Sequence, residues 1–280
     1  MSVGITLGNG WRTSVTRSDL YRGLIVVGFA NGISERVSNA IDRDGVVVAL
    51  FNSFDVSVVM WAAGLVALSL LSRSERQPAR GTDFAIAGVA SAAFLMPIPS
   101  LSWLAFTGIA VYLAYSPISP PRMRRAAAVL GAMTIPMLWA RILLATVSEY
   151  LLAADAKLVS WIVGTESNGN SIPFADGTGV LFLEPACSSL TNLSLVLLCG
   201  VVLVKAYDCA WSKRTAATIL MACCAAIAIN VIRISFIGVL PRYYDLIHGQ
   251  VGATLAGWAI ILTVSLIYFA RIRPNEQNHT

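Results

Sequence analysis

A thiol, a guanidinium and an imidazole stand at three successive boundaries of apolar segments. Cys187 lies in the run Leu183-Glu184-Pro185-Ala186-Cys187-Ser188-Ser189-Leu190, where a polar, glycine-rich stretch turns into an apolar helix. Arg233 closes Asn230-Val231-Ile232-Arg233 near the far end of the next apolar segment, and His248 comes just before the last one. These are the parts of a cysteine acyl-transfer site. The thiol attacks a carbonyl, the imidazole moves protons, and the guanidinium holds developing negative charge.

Each residue alone also has a plainer account. Cys187 follows Pro185, which favours the first turn of a helix. Orphan amides and the helix dipole there favour a thiolate; a small buried residue at a helix start would occupy the same place. Arg233 lies inside an apolar run, about seven residues or ~10 Å from its end. Such an arginine costs at least about 2.5 kcal/mol and normally faces a partner or cavity; snorkelling to the headgroups suits Arg242 better than Arg233. Asn230 shares a helical face with Arg233 and is expected to orient it. His248 is one of two histidines, and an interfacial histidine alone is unremarkable. Glu184 is placed to orient the imidazole, pair with Arg233, cap the helix, or simply meet solvent. Ser188 is a further supporting candidate beside the thiol. Arg141, five residues after Pro136, suits a lipid phosphate, a substrate contact or plain snorkelling, and Pro136 itself predicts a kink.

The elements that must position these groups are membrane spans. The chain of 280 residues is 56% hydrophobic and 12% charged, with mean hydropathy +0.71. Soluble domains carry about 25% charged residues, so the composition excludes a soluble globule. The formal charge of +5 reports orientation, and no basic patch interleaved with aromatics points to nucleic acid. Five cysteines show no C-x-x-C pair and no histidine at ligand spacing, which argues against zinc.

Apolar runs cover approximately 56–72, 84–97, 99–116, 126–152, 187–206, 215–240 and 251–270, with a weaker one near 20–34. The fold expected is an all-α, polytopic transmembrane bundle of roughly eight spans. The stretch 45–54 is too short to span and reads as re-entrant or interfacial. The polar N-terminus, with Gly8, Asn9 and Gly10, lacks the pattern of a signal peptide. Turn formers in 153–186 predict a hairpin-like segment near 165–185, with Ser171–Phe174 and Val180–Leu183 flanking Asp176-Gly177. Arg73, Arg76 and Arg80, then Arg122, Arg124 and Arg125, then Lys205, Lys213 and Arg214, then Arg271 and Arg273 all fall on one side if the chain alternates. The positive-inside rule makes that side cytoplasmic and puts Cys187, Arg233 and His248 on the other. His279 belongs to the polar tail.

A cysteine in an A-C-S run opening a membrane helix, then N-x-x-R late in the next, then a histidine before the last, resembles the exosortase/archaeosortase family. The resemblance covers about residues 126–275, preceded by generic spans over 1–125 and followed by the tail at 276–280. It implies a polytopic cysteine transpeptidase in the cytoplasmic (inner) membrane. It further implies protein substrates with a C-terminal sorting signal: a short motif, a transmembrane helix and a basic tail. Carried over, Cys187 is the nucleophile, Arg233 the arginine and His248 the third catalytic member. Ser189 replaces the glycine common after C-S, which leaves the subfamily open. The expected activity is cleavage, with transfer to an unknown amine acceptor or to water, among membrane lipid and without metal or organic cofactor. The alternative is a transporter or lipid-binding protein using Arg233 and Arg141 for an anionic ligand, although internal repeats are lacking.

Overall fold

The structure is a computed structural model describing residues 15–271, the side chains of Ala186 and Gln250 apart. The glycine-containing N-terminus, Arg273, His279 and the 276–280 tail lie outside the described residues. Helices run Arg17–Phe51 (α1), Val58–Ser72 (α2), Gly81–Leu95 (α3), Pro99–Tyr115 (α4), Pro121–Thr134 (α5) and Ala140–Val163 (α6). After a two-stranded hairpin come Ser189–Ala206 (α7), Lys213–Val239 (α8), the short Tyr244–His248 (α9) and Gln250–Arg271 (α10). The protein is an all-α, multi-pass membrane protein. Among the described residues, four segments are long and apolar enough to cross a bilayer, and Val58–Ser72, Gly81–Leu95 and Pro99–Tyr115 are shorter apolar helices.

The weak run near 20–34 belongs to a helix of 35 residues. The two glycines that interrupt its hydropathy are the reason it packs. A side chain at Gly28 would strike the rings of Phe94 and Phe106, and one at Gly32 would strike the Trp103 indole. Small residues let membrane helices approach where hydrophobic exclusion gives no drive. Trp103 then donates its indole N–H to the Gly32 carbonyl at 3.0 Å. The piece expected to be re-entrant is the end of α1, broken at Gly45, whose φ of +77° suits a residue without Cβ. Beyond it Val46, Val47 and Phe51 are exposed.

The run predicted at 126–152 is longer at both ends. α5 and α6 form one stretch of 43 residues, about 65 Å at ~1.5 Å per residue and roughly twice the bilayer core. Pro136 cannot donate an amide, so the helix widens into a π-turn over Ile135–Trp139 instead of breaking. The second half of α6 leads directly into the hairpin. That hairpin, Ser171–Pro173 (β1) against Val180–Phe182 (β2), is antiparallel with Ile172 opposite Leu181, as the turn residues predict. At its tip, Thr178 donates its hydroxyl and amide to Asp176 and holds that carboxyl below the ordinary carboxylate range.

Contacts gather the basic loops at one end. Arg122 donates to the Arg73 carbonyl, Arg125 pairs with Asp208 at 2.8 Å, and the Arg17 amide reaches the Gln77 carbonyl at 2.9 Å. The start of α7, the end of α8 and α9 stand at the opposite end.

Candidate functional site

Three elements converge on Cys187. Asn170 sets the approach: its backbone carbonyl accepts from the Leu183 amide and its side chain donates to the Leu183 carbonyl, both at 2.9 Å. The chain then turns through a single 3-10 turn at Pro185–Cys187. The Cys187 amide closes that turn on the Glu184 carbonyl at 2.8 Å. The Cys187 carbonyl accepts from Asn230 on α8 at 2.9 Å. Both backbone polar groups of the cysteine are therefore fixed. Its half-buried side chain packs against the apolar cluster of α6, the hairpin and α8 that includes Leu152, Leu183 and Val231.

Two expectations need correction here. The sequence places Cys187 in the first turn of α7, but α7 begins at Ser189 with Ser188 as its cap. The amides expected to favour a thiolate are occupied. Ser189 N–H goes to Asp155 Oδ2 at 2.9 Å and Leu190 N–H to Ser188 Oγ at 3.2 Å. Ser188 in turn donates its hydroxyl to Asp155 at 3.2 Å. The second correction concerns Asn230. It does not orient Arg233; its amide spans the Cys187 carbonyl and Ser189 Oγ, the latter at 3.2 Å.

Arg233 sits one turn along α8 from Asn230 and points to the next element. Its Nε donates to the Ile247 carbonyl and its Nη2 to the His248 carbonyl, each at 3.3 Å. These are the last carbonyls of α9, where a cation also meets the negative end of the helix. His248 is half-buried and stacks on Tyr244 with ring centroids 4.9 Å apart. The turn after it is tight: a side chain at Gly252 would run into the Ile247 carbonyl that Arg233 holds. Thus α8 ties the Cys187 loop and the His248 loop to positions one helical turn apart. Ile247 packs on the same apolar cluster as Cys187.

Glu184 takes none of its expected structural parts. Its side chain caps no helix and forms no ion pair among the described residues. It is exposed and, with Glu149 and Asn170, lines a cavity of about 520 Å³ beside the cysteine loop. Arg141 is away from this group, on a separate cavity near the start of α7. Asp155 went unnoticed in the sequence, and Ser189 and Asn170 were not read as parts of the site. Asp155 alone had a legible signal, a single acid amid Leu151–Val163, and it is 8% exposed. Among the described residues, no three His, Cys, Asp or Glu side chains come together as a metal site.

Comparison with known proteins gives one family. Residues 41–270, more than half of the chain, match the family model for transmembrane exosortases. The match begins well before residue 126 and so takes in most of the helices that had read as generic. No curated protein and no solved structure matches the chain.

Proposed function

The chain belongs to the transmembrane exosortase family, and from this premise we propose that it is a cysteine endopeptidase/transpeptidase acting on proteins with a C-terminal sorting signal. The family implies sorting-signal processing in general; the chemistry and its residues are our assignment. Cys187 is the nucleophile. Its thiol gives its proton to His248 as sulfur adds to the scissile carbonyl. The tetrahedral oxyanion collapses, the C–N bond breaks, and His248 returns the proton to the leaving amine. A thioester remains on Cys187. An amine acceptor or water, deprotonated by His248, then displaces the thiolate.

The observation that carries this reading is the double tether from α8. Asn230 holds the Cys187 carbonyl, and Arg233 holds the backbone of His248. Arg233 Nη1 has no hydrogen bond among the described residues and is the donor available to an oxyanion. In this reading Asp155 and Ser188 fix the start of α7 so that the cysteine loop does not drift. An apolar groove of about 230 Å³, walled by Leu195, Val196, Ile260 and Val264 from α7 and α10, suits one side of the sorting signal's helix. The basic end is assigned to the cytoplasm by the positive-inside rule. The site then faces outward from the inner membrane.

The test is a trapped intermediate. Purified full-length protein is mixed with a tagged sorting-signal substrate and quenched in acid, and the adduct is mapped by mass spectrometry. A thioester on Cys187 that hydroxylamine releases is the expected result. Sustained cleavage with an adduct elsewhere, or with none under conditions that trap a known thioester, would overturn the assignment.

A further inference from the structure

Arg141 and Arg36 line one cavity of about 850 Å³ at the end of the bundle that carries Cys187. Thr191 and Ser194, in the first turns of α7, line it too, which sets its depth. α7 has 18 residues, about 27 Å at ~1.5 Å per residue, so its first turns lie at headgroup level. The rim is polar, with Glu35, Asn39 and Asp55 beside the two arginines, and the floor is apolar, with Met60, Met137 and Leu195.

The charges on this rim are unevenly met. The Asp55 carboxylate is taken by Arg43 at 3.0 Å. Arg36 donates one nitrogen to the Asp55 carbonyl at 3.2 Å. Arg141 has no ion pair and no hydrogen bond among the described residues. Two guanidiniums thus share a cavity whose one uncommitted carboxylate is Glu35. They also stand at the end away from the basic loops, where the charge rule gives cations no reason to gather.

The rim carries backbone strain as well. Ser53, Phe54 and Asp55 have φ of +54°, +55° and +56°, three consecutive non-glycine residues in the left-handed region that L-residues avoid. Strain of this kind collects at ligand clamps.

We infer that this cavity binds the phosphate of a phospholipid headgroup, held by Arg36 and Arg141, with the glycerol and upper acyl carbons on the apolar floor. Guanidinium forks suit phosphate oxygens. A free phosphate would leave the floor unfilled, and an acidic peptide would not need it. The bound lipid wedges α1 and α2 against α6 and α7. This inference does not depend on the chemistry at Cys187.

The test is lipid retention by the full-length protein in detergent, read by native mass spectrometry against phosphatidylglycerol, diacylglycerol of the same chains, inorganic phosphate and an acidic peptide. Phosphatidylglycerol should bind at least about tenfold more tightly than diacylglycerol. Arg141→Gln, which breaks no hydrogen bond or ion pair among the described residues, should weaken it by about tenfold, and adding Arg36→Gln should weaken it further. Lys205→Gln, at the basic end, should leave binding unchanged. Equal binding of phosphatidylglycerol by wild type and a folded Arg141→Gln would overturn the inference. Inorganic phosphate binding as tightly as the lipid would make this a free-anion site. An Arg141-dependent acidic peptide without lipid binding would make it a peptide site. Either result also overturns the lipid assignment.

Discussion

At the basic end, Arg17 and Asp83 are both fully buried and share a 2.9 Å ion pair. Asp83 also accepts from Tyr21 and Tyr112 hydroxyls at 3.0 and 3.1 Å and from the Arg80 amide at 2.9 Å. At the other end, the buried Asp155 meets, among the described residues, only a hydroxyl and an amide of the Ser188–Ser189 cap. Its neighbour across the cysteine loop is a neutral amide, Asn230. Arg233, the arginine of this site, binds main-chain carbonyls instead of the acid. The first cluster cancels its charge internally and leaves the carboxylate saturated. The second spends its polar groups on holding two loops and leaves a thiol and an imidazole uncommitted to ion pairs. A buried charge in a membrane bundle is therefore not by itself a mark of function. What separates the two clusters is the part of the chain their bonds immobilise.

The sharpest way to break this contrast is to remove one group from each cluster. Cys187→Ala should reduce processing to the uncatalysed level, while abundance and melting temperature stay at wild-type values, because alanine fits the turn and removes little volume. Wild-type cleavage by this variant would end the mechanism. Asp83→Ala should do the reverse. Breaking a buried pair from one side costs about 3–5 kcal/mol. The loss is steep here because two terminal nitrogens of Arg17 already lack partners among the described residues. Folded protein should fall sharply, but cleavage per folded molecule should hold. A specific loss of turnover in the surviving Asp83→Ala protein would show that the two ends are not separate in role.

The same contrast explains what the sequence could disclose. Cys187, Arg233 and His248 stood out in the sequence because each is a polar group within or at the edge of an apolar segment. The hairpin was legible because Asp176-Gly177 and its flanks encode a turn locally. The tethers were not legible, because each joins residues distant in sequence: Cys187 to Asn230 across 43 positions, and Ser188 to Asp155 across 33. Asn230 was noticed for the wrong partner, since the N-x-x-R spacing suggests a contact along the helix and the real one crosses to another element. α1 was underrated because hydropathy counts Gly28 and Gly32 as gaps, when their value is the space they leave for Phe94, Trp103 and Phe106.

Arg233→Lys probes the second cluster where geometry and charge separate. Lysine keeps the charge and most of the stem but replaces a planar fork by a point charge. Its three donors diverge from one nitrogen, so they cannot reproduce the fork that reaches the Ile247 and His248 carbonyls from Nε and Nη2 while a third nitrogen faces substrate. Losing one oxyanion donor costs about 100-fold or more in rate, so turnover at matched membrane abundance should fall by about that factor. Near-normal cleavage by Arg233→Lys would return this arginine to the company of Arg17, a cation kept for packing.

Asn230→Ala should give the smallest effect and the most discriminating one. The substitution strips the part-buried Cys187 carbonyl of its donor and leaves the buried Ser189 Oγ without its 3.2 Å partner. Leaving buried groups unmet costs about 1–3 kcal/mol, and in a purely structural residue all of it would appear as lost stability. The Cys187 loop has other supports in Asn170 and Asp155, so the fold should absorb most of the change. The thiol's position should not, because the carbonyl that Asn230 holds belongs to the nucleophile's own residue. The expectation is a fall of about tenfold in kcat with KM little changed, as when an interaction serves the transition state and not substrate binding. Asn230→Asp, which sets a carboxylate against that carbonyl, should be worse than alanine. If Asn230→Ala lowers the melting temperature and leaves kcat intact, α8 is only a strut on this side, and the difference between the two buried clusters shrinks to the presence of a cysteine.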